Sequence, residues 1–146
     1  MMQELQFSIE IHACKERVWA TLWNDETFRD WANRIDEGLY MKGVMKEGNE
    51  LEFISSVNGY GVTSLIEKLN LNEFVLFRHR ADTIESGQLE RENEWTGGVE
   101  SYSLSEINGI TTLIVKMEVP AEQEETFQIR FPEALKRLKE LTEMMG

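Results

Sequence analysis

Cysteine is almost absent from this chain of 146 residues: Cys14 stands alone, so no internal disulfide can form. The fold must hold by burial, which a chain of this length can achieve without covalent staples. One cysteine and two histidines, His12 and His79, give no ligand spacing for zinc, and no metal is expected. No Gly-x-Ser-x-Gly elbow or phosphate-binding glycine loop occurs, so no catalytic residue is assigned and no cofactor is expected. With two prolines, ten glycines and no segment dominated by one residue type, disorder is expected only in the first and last few residues. No apolar run approaches the ~20 residues of a membrane span. The start, Met1-Met2-Gln3-Glu4, lacks the basic and apolar stretches of a signal peptide. Cations are scarce as well: 15 Lys plus Arg against 27 Asp plus Glu give a net charge of -12, which repels phosphate backbones and anionic bilayers. These absences lead to the expectation of a cytoplasmic protein, one domain over residues 1–146, that binds neither nucleic acid nor membrane.

What is present is strand and helix periodicity. Leu5, Phe7, Ile9 and Ile11 alternate with polar neighbours, a period of two that marks a strand with one buried face. Val18, Trp19, Leu22 and Trp23 then form a helical stripe. Asn24 and Asp25 are suited to capping, and Phe28, Trp31, Ala32 and Ile35 form a second stripe, so two short helices follow the first strand. Strands are predicted near 37–42, 49–57, 61–70, 74–81, 93–105 and 110–119, with a polar loop over 82–92. Asn58-Gly59 and Asn108-Gly109 predict type I′ hairpin turns, and Leu69 to Glu73 another tight connection. Gly97-Gly98 suggests a bulge or sharp bend. Beyond Pro120 a helix over 122–145 presents Phe127, Phe131, Ala134, Leu135, Leu138, Leu141 and Met145 on one face. Pro132 inside it predicts a kink or a break into two segments. Strands without intervening helices cannot be parallel neighbours. The fold class is therefore α+β: strand, two short helices, a six-stranded antiparallel meander, and a long C-terminal helix plugging the concave face.

The opening strand with Ala13-Cys14-Lys15-Glu16-Arg17-Val18-Trp19, then Trp31 and Gly38, is similar to the start of the SRPBCC (START-like, Bet v 1-like) superfamily, with its helix-grip fold. Glu100-Ser-Tyr102-Ser-Leu104, Asn108-Gly109, Thr112-Leu113 and Phe131-Pro132-Glu-Ala-Leu135-Lys-Arg-Leu138-Lys resemble the branch related to the activator of Hsp90 ATPase. The resemblance runs over nearly the whole chain and rests on element order and scattered aromatics. Cys14 departs from it, standing where many relatives place a proline before the first helix. The resemblance implies an elongated cavity between sheet and long helix, used for lipids, sterols, polyketides or other apolar molecules. Its chaperone branch suggests an interaction module for Hsp90; a homodimer and a role in stress response are further expectations.

Pockets for apolar molecules are lined by aromatic and aliphatic groups with a few placed polar ones. The aromatics Trp31, Phe53, Phe77, Trp95, Tyr102, Phe127 and Phe131 are the candidate ligand-binding residues, although taken singly each suits plain core packing better. His79 joins them because Val75, Phe77 and His79 share the more apolar face of their strand, and an imidazole there could donate or accept a proton. Its alternative is a core or rim histidine bonded to a neighbour. Glu100 shares a face with Tyr102; if internal, it is expected to pair with Arg78 or Arg80, because a lone buried charge is costly. Glu90, Glu92 and Glu94 read as a solvated edge, and Lys136, Arg137, Lys139 and Glu140 as a solvent face. Three functions stay open. They are a binding protein for a hydrophobic small molecule, a cyclase- or hydratase-type enzyme using His79 with Tyr102 or Glu100, and a chaperone-interaction module.

Overall fold

The computed structural model describes residues 2–84 and 95–144. β1 (Met2–Ile11) leads into α1 (Lys15–Trp23) and α2 (Asp25–Ala32). Then come β2 (Leu39–Lys42), β3 (Glu50–Ser55), β4 (Tyr60–Asn70), β5 (Phe74–Ile84), β6 (Val99–Ile107) and β7 (Ile110–Pro120). One 3-10 turn, Ala121–Gln123, opens into α3 (Glu124–Met144). The seven strands among the described residues form one sheet in the order β1-β7-β6-β5-β4-β3-β2, every pair antiparallel. This is the expected α+β helix-grip arrangement: a curled sheet, two short helices, and the long helix in its grip.

Alternation decides which face turns inward. Leu113, Val115, Met117 and Val119 of β7, Leu5 and Ile11 of β1, and Val75 and Phe77 of β5 are buried. They meet Phe131, Ala134, Leu135 and Leu138 of α3, together with Val18, Leu22 and Trp31 of the short helices. Phe7 of β1 stacks on Phe131 with ring centroids 5.0 Å apart. Two register shifts in the β4–β5 ladder, at Thr63/Ser64 and Ile66/Lys68, bend the longest strand pair and help the sheet curl.

Several local expectations change. α3 runs unbroken past Pro132, which sits on the exposed side, while Phe131, Ala134, Leu135 and Leu138 stay buried before and after it. One lost backbone bond on the wet side does not outweigh a continuous apolar face. The Asn108-Gly109 turn has positive φ at both residues (53° and 78°), as a type I′ turn requires. At Asn58-Gly59 only Gly59 is left-handed, and strand β3 ends at Ser55, earlier than expected. There the Ser55 hydroxyl accepts from the amides of Val57 and Asn58, which draws the chain into a longer turn. Asn24 starts α2 with its carbonyl, which accepts from the Phe28 amide; its side chain makes no capping bond. The strand expected over 93–105 begins at Val99, after a bend at Gly97, and β5 continues to Ile84. The acidic residues Glu90, Glu92 and Glu94, and most of the expected 82–92 loop, lie outside the described residues. Arg137 and Lys139 are not free surface charges. Arg137 holds Asp30 of α2 through two bonds of 2.8 and 3.0 Å, and Lys139 donates to the Glu10 carbonyl of β1 at 2.9 Å.

Candidate functional site

Where the first turns of α3 lie over the sheet, packing is incomplete and a cavity of about 280 Å³ remains. Trp23, Phe28 and Trp31 come to it from the short helices, Phe53 from β3, Tyr60 and Val62 from β4, and Tyr102 from β6. Trp95 comes from the bend before β6, and Phe127 and Phe131 from α3. The rings pack largely edge to face, the arrangement favoured by aromatic quadrupoles: Trp23 on Tyr102 at 4.9 Å and 80°, Phe28 on Trp31 at 5.2 Å and 79°. Trp31 is fixed by its indole N–H, which donates to the Leu22 carbonyl at 3.2 Å. Asp36, Asn58, Gln123, Thr126 and Arg130 supply a polar part of the wall, and the Arg130 guanidinium donates to the Ile35 carbonyl at 3.2 Å.

A second polar group of residues interrupts the apolar wall deeper in, around His79. His79 faces inward on β5 with its side chain 3% exposed. Its backbone is clamped by the bend: the His79 amide donates to the Gly98 carbonyl at 2.8 Å and the Gly97 amide to the His79 carbonyl at 2.7 Å. The bulge at Thr63/Ser64 places Ser64 opposite, and Ser64 Oγ lies 2.6 Å from His79 Nδ1. On the other side Nε2 stands 3.7 Å from Glu100 Oε1, beyond hydrogen-bond reach. The second oxygen of Glu100 accepts from the Tyr102 hydroxyl at 2.6 Å. Burial dominates the electrostatics. It lowers His79 to about 4, against a weaker upward pull from Asp82. It raises Glu100, opposed by the Tyr102 hydrogen bond, and it raises Tyr102 far above the usual phenol range, helped by the Glu100 charge. His79 is thus a neutral imidazole at pH 7.

Trp31, Phe53, His79, Trp95, Tyr102, Phe127 and Phe131 all line the cavity. Phe77 does not. It is fully buried behind the wall, packed on Trp23 at 5.6 Å and Phe53 at 5.3 Å. Glu100 is not paired with an arginine: Arg78 binds Glu67, and Arg80 lies 3.9 Å from Glu50. Both arginines are on the opposite strand face from His79, so neither reaches inside. Ser64 and Trp23 were not singled out by the sequence. A serine sharing the face of Ile66 was the only hint of the first, and Trp23 reads as one more position of a helical stripe.

Fold and cavity together define a helix-grip protein, a curled sheet closing on its C-terminal helix around an aromatic-walled pocket. Solved structures share the arrangement. A protein of Mesorhizobium loti superposes with a TM-score of 0.75 at 11% identity, over 99% of both chains. The Aha1 dimer from Colwellia psychrerythraea gives 0.69 at 18% identity, over 94% of this chain and 94% of that one. DynU16, from the dynemicin biosynthetic locus, gives 0.68 at 15%, over 96% of this chain and 47% of the other. At these identities the likeness is one of fold. No family model and no curated protein matches the chain.

Proposed function

We propose that this protein binds a small, mostly apolar molecule between the sheet and α3, as a member of the SRPBCC branch related to the activator of Hsp90 ATPase. The observation that carries the reading is the cavity of about 280 Å³ with aromatic walls; behind its surface Trp23 Nε1 and His79 Nε2 are buried without a hydrogen-bond partner among the described residues. Packed cores rarely leave either such a void or such atoms. The volume, about 280 Å³, falls just below the ~300–1,000 Å³ typical of ligand pockets. It suits a molecule of a few rings better than a full sterol or a long lipid. DynU16, a fold neighbour, comes from a biosynthetic locus, which accords with small-molecule work. A thermal-shift screen of small aromatic compounds tests the reading: a set of bicyclic ligands raises the melting temperature, and no response from any of them defeats it.

A second reading is an acid–base enzyme of cyclase or hydratase type. It is favoured by a neutral His79 and a carboxyl group held 3.7 Å apart in the cavity, as proton transfer at a bound carbonyl compound would need. Conversion of a bound aromatic ketone, lost in His79→Leu, would establish it. A chaperone-module role rests on the fold likeness to Aha1 alone, and Hsp90 ATP turnover with and without this protein tests it.

A further inference from the structure

Glu100 is an acid turned toward an aromatic cavity with no cation beside it among the described residues. Its side chain lines the cavity and keeps 21% of its surface, against 3% for His79. Oε2 accepts from the Tyr102 hydroxyl at 2.6 Å. Oε1 takes no hydrogen bond among the described residues and, unlike His79 Nε2, is not sealed in by its neighbours. A carboxyl group drawn out of water in this way is costly without a positive partner. Arg78 and Arg80 lie on the other strand face, against Glu67 and Glu50. Arg130, the cation of the wall among the described residues, is held by the Ile35 carbonyl. Resting on the reading of the cavity as a ligand site, we propose that the ligand is a lipophilic amine, bound as its ammonium ion, with the nitrogen against Glu100 Oε1 and the apolar frame among the rings.

Acid and rings select the same class of ligand. Aromatic faces attract positive charge as well as apolar groups, and more strongly where water is excluded. Tyr102, bonded to Glu100, packs on Trp23 at 4.9 Å, and Trp95 packs on His79 at 5.9 Å, so rings surround the acid's end of the cavity. Asp36 adds a second carboxyl to the wall, and the net charge of -12 draws cations toward the protein and repels anions. A purely apolar ligand would gain nothing from an inward acid. A carbonyl can bond to Glu100 only while the acid is protonated, whereas an ammonium ion pairs with it only when ionised, so the two classes differ in the sign of their pH dependence. Burial raises Glu100, and a bound ammonium ion would lower it again. The groups that face it are His79 of β5, Tyr102 of β6, and Asp36 and Arg130 of the wall. On β7 its partner is Met117, so Lys116 and Glu118 point to the opposite face. His79, lowered to about 4, and Tyr102, raised far above the phenol range, keep their charge near neutral pH. Asp36, the other carboxyl, is separated from Glu100 by substitution.

Three probes of one size test this: β-naphthylmethylamine, β-naphthylmethanol and β-naphthoate, titrated by calorimetry in ~0.15 M salt so that the surface field is screened. Near neutral pH the amine is expected to bind roughly tenfold to a hundredfold more tightly than the alcohol, and the carboxylate most weakly. The amine's affinity should rise between about pH 5.5 and 8, where its ammonium group stays charged and Glu100 ionises, while the alcohol's does not. Glu100→Gln keeps an acceptor for Tyr102 and removes the charge; amine and alcohol should then converge, with the alcohol still bound. Asp36→Asn should retain the preference for the amine. If Glu100→Gln fails to fold, the wild-type pH profiles decide, and an amine affinity that is level or falls with pH overturns the proposal. Equal binding of amine and alcohol by the wild type, or a preference that survives Glu100→Gln, would overturn the ammonium subsite and leave the apolar cavity standing. Binding of none of the three probes would overturn both.

Discussion

His79 is neutral because burial lowers it from 6.5 to about 4, and that shift links it to stability. The unfolded chain binds a proton at this residue below about 6.5, whereas the folded chain resists until about 4. Stability from this group is therefore complete above pH 6.5 and lost as the pH falls toward 4, by roughly 3 kcal/mol in all. Glu100, whose carboxyl is raised, acts with the opposite sign: its share is present at low pH and fades as the pH rises through its folded value. Asp30, Glu67 and Glu143 are lowered, so their contributions fail only below the normal carboxylate range. Denaturant melts at pH 6.5 and 5 should show the wild type losing stability and His79→Leu losing distinctly less; parallel losses would contradict the account. A second residue prediction concerns Gly61. A Cβ there would lie 1.9 Å from the Phe53 carbonyl oxygen and 2.7 Å from the Ile54 Cα, both main-chain atoms of the adjacent strand. Gly61→Ala should cost about 1–3 kcal/mol, read as a drop in denaturation midpoint. The pattern Val75, Phe77, His79 put His79 on the more apolar face of its strand but left open which way that face turns, and Ser64 was not legible because a register shift sets it opposite.

At the scale of elements, α3 carries the grip. Leu138 is fully buried against the sheet, so Leu138→Ala should cost about 2–5 kcal/mol. Arg137 joins α3 to α2 through a two-bond contact with Asp30, but the pair is partly solvated, with side chains 25% and 39% exposed. Arg137→Ala should cost about 1 kcal/mol or less. Equilibrium urea melts of both variants check the ranking. The heptad-like run from Phe131 to Leu138 made this helix visible in the sequence. Its position at the cavity was not visible, because spacing shows which residues share a face and not what the face meets.

For the whole molecule, a closed apolar core and a void sit side by side under one helix. Binding to the folded state alone should stabilise it: at one hundred times its Kd, a ligand adds about 2.7 kcal/mol. For a domain of this size that is roughly 5–11 °C in Tm. Calorimetry with a bicyclic compound that responds in the thermal-shift screen checks the figure. A net charge of -12 predicts no retention on DNA or on anionic vesicles at low salt, where attraction would be strongest.

Periodicity by itself determined the antiparallel meander, the two short helices and the amphipathic terminal helix, because alternation and helical spacing are local and burial of one face leaves few ways to assemble them. It also marked most of the aromatics that wall the cavity. Only the tertiary structure decided that Phe77 packs behind that wall and that Arg78 and Arg80 point away. It also decided that Ser64, His79, Glu100 and Tyr102 form one polar group. Those relations depend on register shifts, strand bends and side-chain contacts between segments far apart in the chain, which no local pattern encodes.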